Sequence, residues 1–146
     1  MASLTEIRAA LKATLKAAVP DLSVYSEVPS VKQVPAVVPM PAPRPDGMTC
    51  DFNGAFGRGM DEWTLDLFVL VAYGDPALAQ KNLDQYVTGK GPKSIRQIIF
   101  NAPDLGLADG TDAHAEGIRE YGGSFASAGI QHVGAVVRLT VRTPSN

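Results

Sequence analysis

The residues that first suggest chemistry lie in Gly54-Ala-Phe-Gly57-Arg-Gly59, three glycines around an arginine. Glycine-rich loops cradle phosphates when their backbone amides converge at a helix N-terminus. A Walker loop ends in Lys-Ser/Thr, and a dinucleotide fingerprint spaces its glycines G-x-G-x-x-G between strand and helix. This stretch has neither feature, and it runs into Met60-Asp-Glu-Trp-Thr-Leu-Asp-Leu-Phe-Val-Leu-Val71, which alternates like a strand. Its glycines therefore read as a permissive bend, with Arg58 as a surface contact.

Other chemistries find little support. His114 and His132 are the only histidines and fall on two different expected strands. Asp112 and Glu116 flank His114, so a weak metal site, and with it a small metal-dependent hydrolase, is one alternative. A zinc site takes three or four such ligands held together, and solvated strand faces explain both histidines more simply. Cys50 has no nucleophile signature around it, there is no G-x-S-x-G elbow, and the serines sit in caps and turns. Asp61-Glu62 alternates across a strand and reads as solubility. We expect no enzyme, cofactor or metal. The single cysteine excludes an internal disulfide framework and fits a reducing compartment.

The whole chain bounds these readings. Its 146 residues suffice for one domain, expected over 1–146, and its 45% apolar and 19% charged content is that of a globular protein. A net charge of −2 gives no bulk attraction to nucleic acid, which argues against a plain nucleic-acid-binding domain. No N-terminal apolar core or long apolar run predicts a signal peptide or membrane span.

The elements that must position any site follow from periodicity. Ser3-Leu-Thr-Glu6 is a capping box, and Leu4, Ile7, Leu11 and Leu15 form a core stripe, so a helix is expected over Leu4–Ala18 with Pro20 as its stop. Short strands follow at Ser23–Val28 and Ala36–Met40. The prolines of "PMPAPRPDG" remove ladder donors, so Pro39–Asp61 reads as a long arm. Glu62–Tyr73 is the best strand; from Phe68 onward both of its faces are apolar, and a neighbouring subunit is the expected cover for one. Asp75-Pro76 caps a second helix carrying Leu78, Leu83, Tyr86 and Val87. Ile95, Ile98 and Ile99 mark a third, ended before Pro103. Asp112–Phe125 is a glycine-broken strand for an edge or a bulge, and Ile130–Thr143 is the last strand. In that strand Val133, Ala135, Val137, Leu139 and Val141 share one face, and His132, Arg138, Thr140 and Arg142 the other. The expected fold is α+β: an antiparallel or mixed sheet of four to five strands, helices mainly on one face, and a long Pro/Gly-rich arm between strands 2 and 3.

This succession resembles the tail terminator proteins (head-to-tail connector or minor tail proteins) of long, non-contractile-tailed phages of actinobacteria. The resemblance rests on "SLTEIRAALKATL", "GAFGRGMDEWTLDLFVLV", "ALAQKNLDQYV", "KSIRQIIFNAPDLG", "AHAEGIREYGG" and "GAVVRLTVRT". It implies an α+β subunit of a homo-oligomeric ring, a hexamer, in the virion neck after assembly in the host cytoplasm. The implied partners are the tail tube protein, a head-side connector or stopper, and DNA passing through the lumen without sequence-specific binding. Another neck protein, for head completion or stopping, is the nearest alternative. Arg44, Asp46, Phe52, Phe56, Arg58 and Met60 in the arm are the candidate interface residues. Arg58, Arg138 and Arg142 are the candidate basic groups for lumen or partner.

Overall fold

The computed structural model describes residues 3–25, 35–52, 60–72, 76–107, 109–127 and 130–144. In chain order these form α1 (Leu4–Ala18), β1 (Ser23–Val24), β2 (Ala36–Pro41), β3 (Cys50–Asp51), β4 (Met60–Ala72), α2 (Pro76–Val87), α3 (Ile95–Asn101), β5 (Asp112–Ser127) and β6 (Ile130–Pro144). The architecture is α+β, with one mixed sheet of six strands rather than four or five. The additional strand is β3, two residues long and too short to show a period in sequence.

Local chemistry explains the helices. Ser3 Oγ accepts from the Glu6 amide at 3.2 Å and donates to the Glu6 carboxylate at 3.3 Å, fixing the start of α1. Ile7, Leu11 and Leu15 point inward and are fully buried. Ser94 caps α3 by accepting from the Gln97 amide at 3.2 Å, and its own hydroxyl donates to the Thr88 carbonyl. Ile95, Ile98 and Ile99 then fall on the buried side. In α2 the buried residues include Leu83 and Tyr86, whereas Leu78 is exposed and not part of the core. The Asp75 cap lies outside the described residues, as do residues 26–28 of the expected first strand.

The strands run in the order β1-β2-β4-β6-β5, with β3 on β4. β1 and β2 are parallel; β2, β3 and β6 pair antiparallel to β4, and β5 antiparallel to β6. Strand alternation divides the side chains by face. Leu65, Leu67, Val69 and Val71 of β4 join Ala135, Val137, Leu139 and Val141 of β6 and the inward residues of all three helices in the main core. A second cluster on the opposite face holds Ala36, Val38 and Leu70, with Tyr25, Met40 and Phe68 packed against it. Leu70 is only 4% exposed and Val136 fully buried within this one chain, so their cover does not need the neighbouring subunit expected from sequence.

Pro39 and Pro41 lie inside a strand, which corrects the reading of Pro39–Asp61 as a long arm from its first residue. The Ala42 amide donates to the Thr64 carbonyl at 2.9 Å, so even-numbered amides here face β4. Pro39 and Pro41 occupy the odd positions, where a missing N–H points away from β4. On that side β1 pairs only with Ala36 and Val37, so no ladder bond is lost. Cys50–Asp51 and Met60–Asp61, at the far end of the same segment, are also in strands.

β5 is the outer strand and carries two register shifts, between Ala115 and Gly117 and between Arg119 and Gly123. At the second, Glu120 and Gly122 take φ of 56° and 77°. A glycine-broken strand can absorb the extra residues there and twist its edge. The turn carries Tyr121 to α2, where its hydroxyl donates to the Asp84 carboxylate.

Candidate functional site

The site with the most organised geometry is a small hairpin in the former arm. On either side of it the chain follows β4: Ala42 donates to Thr64, and the Thr64 amide donates to the Thr49 carbonyl at 3.0 Å. Residues 43–48 leave that line. Arg44 and Met48 close the hairpin, with Arg44 N–H on the Met48 carbonyl and Gly47 N–H on the Arg44 carbonyl, each at 2.8 Å. Pro45 presets φ for the turn, Asp46 Oδ1 accepts the Met48 amide at 2.9 Å, and Gly47 supplies the φ of +88° that L side chains rarely adopt. The Pro-Asp-Gly order thus specifies a tight turn with a stated mechanism.

Arg44 locks this turn to the sheet. Its guanidinium reaches Asp46 at 2.8 Å, Asp51 at 3.2 Å and Glu62 at 3.1 Å. The hydrogen bond to Asp46 is the main influence raising the Arg44 pKa. The Met48 amide, followed by Arg44, holds the Asp46 carboxyl below its usual range. Glu62 is shared, accepting also from Arg142 Nε at 2.8 Å. The cluster presents two large apolar side chains to solvent at its rim, Met48 at 48% and Phe52 at 69% exposure.

A second ionic group lies on the same sheet face. Asp66 of β4 is opposite Arg138 of β6 and accepts from its Nε at 3.2 Å; Arg119 reaches over from β5 to the other carboxylate oxygen. Asp66 is nearly sealed, its side chain 3% exposed. Arg138 and Arg142 therefore do share a face, as their spacing predicts, but each is set against a carboxylate. They are not an unopposed basic stripe.

Of the other sequence candidates, Arg44 and Asp46 come together in the hairpin, with Phe52 beyond β3 and half-buried Met60 at the start of β4. Phe56, Arg58 and the whole Gly54–Gly59 loop lie outside the described residues. His114 and His132 are far apart: their β6 positions, Thr140 and His132, are eight residues distant, roughly 27 Å along a strand. His114 is exposed, consistent with a solvated strand face. His132 is 5% exposed instead, and neither of its ring nitrogens has a hydrogen-bond partner among the described residues. Among those residues no group of three or more His, Cys, Asp or Glu is arranged to hold a metal ion. The Cys50 thiol is pushed up to about 11, by burial first and then by the charges of Asp61 and Asp51.

Three features escape sequence reading. Asp66 looks like any outward strand acid until β6 and β5 bring two arginines onto it. Arg119 sits between bulges, so its face cannot be counted from the period. Arg96 lies 6.0 Å from the ring centroid of Phe100, which is 70% exposed; the i, i+4 spacing was the available signal. No described helix is long and apolar enough to cross a membrane. No protein-family profile matches the chain, and no curated protein matches it.

Proposed function

We propose that this chain is a structural subunit of a phage neck, a tail terminator that forms a ring at the head-proximal end of the tail tube. The observation that carries the reading is the Arg44 hairpin. A turn fixed by three hydrogen bonds and tied by the Arg44 guanidinium to Asp51 and Glu62 of the sheet presents Met48 to solvent, with Phe52 exposed just beyond β3. Such an edge suits docking, because its ordering cost is met before any partner arrives. The α+β subunit with helices on one sheet face agrees with what the sequence resemblance implies.

In this reading the work is geometric. A ring subunit uses one surface to match the last tube layer and another that does not repeat the tube, so closed symmetry ends an open polymer. The internal pairing of Arg138 and Arg142 suits a lumen through which DNA slides without being held, since unpaired cations would bind phosphate. The test is electron microscopy and mass measurement of the purified protein mixed with tail tubes. Rings capping tube ends are the expected result; absence of both rings and tube-end binding refutes the reading. Overlong tails are expected when the protein is missing, and tailless joining-defective heads with normal-length tails would move it to another neck position.

A further inference from the structure

The ionic groups around Asp66 and Glu62 are spent on one another, but one cavity is lined by polar groups that are not. It lies where the end of β4 meets α2, the turn after α1, the entry to β2 and the turn before α3. Its volume is about 240 Å³. Asp21, Asn82, Gln85, Tyr86 and Lys93 bring to it a carboxylate, two carboxamides, a phenol and an ammonium. Asn82, Gln85 and Tyr86 share one face of α2, at positions i, i+3 and i+4. Val71, Ala72 and Pro35 supply apolar wall.

None of these five polar side chains makes a hydrogen bond or an ion pair among the described residues, and Asp21 and Lys93 do not pair with each other. Yet they are not plain surface groups. Tyr86 is 3% exposed, and Asn82 and Lys93 are half-buried. Burial first, and then the charge of Asp21, push the Tyr86 phenol up, so the Asp21 carboxylate stands close enough to act on it. A nearly buried phenol without a partner leaves hydrogen-bonding capacity unused at a cost, and a ligand that bonds it recovers that cost.

We propose that this cavity binds a small aliphatic α-amino acid as its zwitterion. The ligand's ammonium donates to the Asp21 carboxylate and the Tyr86 oxygen. Its carboxylate accepts from the Lys93 ammonium and the carboxamides of Asn82 and Gln85, and its side chain lies against Val71 and Pro35. The ligand carries both signs because the cavity does: a lone cation would face Lys93, and a lone anion would face Asp21. Size limits the side chain. A benzene-sized group needs about 150 Å³, and pockets for drug-sized ligands begin at about 300 Å³. The volume here lies between them, enough for two charged ends and a short apolar chain. Such binding needs only the single chain and is independent of ring formation.

Two-dimensional NMR of the nitrogen-labelled chain, titrated with L-valine to about 50 mM at neutral pH, tests this. A millimolar Kd is expected for so small a ligand, with saturating shifts at the side-chain amides of Asn82 and Gln85 and at the Ala72 backbone amide. N-acetylvaline lacks the cation and valinamide lacks the carboxylate, so each should bind roughly tenfold more weakly. Asp21→Asn should abolish the preference for valine over N-acetylvaline and keep that over valinamide; Lys93→Gln should do the reverse. Spectra of both variants that match wild type away from the cavity show that the fold persists. No saturating shift at those groups overturns the site. An equal response to all three compounds, or valine binding that survives both substitutions, overturns it as non-specific. Tighter binding of N-acetylvaline or of valinamide than of valine overturns the zwitterion and moves the occupant to the carboxyl or amino end of a peptide.

Discussion

Replacing Asp66 by Asn should cost this protein about 2–3 kcal/mol, a figure bracketed by how its partners are exposed. Stripping one member from a fully buried ion pair costs about 3–5 kcal/mol, whereas an exposed pair is worth about 0–1 kcal/mol. Asp66 is in the first class, with its side chain 3% exposed. Arg119 and Arg138 are in between, at 47% and 23%, so both regain water when the carboxylate is gone. Asparagine keeps the volume and one acceptor, which isolates the charge. Urea denaturation should show a lower midpoint with an unchanged slope, and the thermal midpoint should fall by roughly 5–10 °C for a domain of this size. Arg119→Gln alone should cost less than about 1 kcal/mol, being half in solvent. A double-mutant cycle of Asp66→Asn with Arg138→Met should return a coupling of about 1–2 kcal/mol. A loss below about 0.5 kcal/mol for Asp66→Asn would refute the argument that this carboxylate organises the polar face.

Other outcomes follow from the same geometry. His132→Leu should raise stability by about 1 kcal/mol in urea unfolding, since it removes a buried imidazole whose two nitrogens have no hydrogen-bond partner among the described residues; a loss would show that those nitrogens are satisfied. The Cys50 thiol, raised from 9.0 to about 11, should react with iodoacetamide near pH 8 roughly 100-fold more slowly than an ordinary thiol. Its pH–rate profile should still be rising at pH 10, and a plateau by then contradicts the shift. Gly47→Ala should destabilise by about 1–2 kcal/mol although nothing lies within 4 Å of the added carbon, because the φ of +88° alone is the penalty. Because the folded Asp46 pKa is lowered, its stabilising contribution is present above the ordinary carboxylate pKa and fades as pH falls through the lower folded value. The protection of the Met48 amide, measured as its exchange rate against the intrinsic rate at the same pH, should therefore fall in acid before that of the core amides; a uniform change in protection would contradict this. Ile99→Ala, at a fully buried position of α3, should cost about 2–5 kcal/mol by thermal unfolding.

The sequence alone determined whatever a short-range rule controls. Leu4–Ala18 is bounded by a capping serine and a following proline, and its leucine stripe is the buried face. The α+β class, the alternation of β6 and the broken character of β5 are likewise periodic or compositional signals, set by which side chains fit a helix stripe or a pleated face. Pro45-Asp46-Gly47 specifies a turn because the φ values of three adjacent residues are locally constrained. The arm around it could not be resolved from sequence: whether Pro39 and Pro41 break a ladder depends on which way their missing amides point. That direction is set by the register with β4 and by β1 ending opposite Val37, contacts distant in the chain. The same holds for the candidate site. Arg44 meets Glu62, Arg138 meets Asp66, and Arg119 meets Asp66 from two strands away only after the sheet is assembled. Charges of both signs stand in the sequence as separate solvated groups. Tertiary pairing decides which of them are cancelled, because Coulomb pairing falls off with distance in space and is indifferent to distance along the chain.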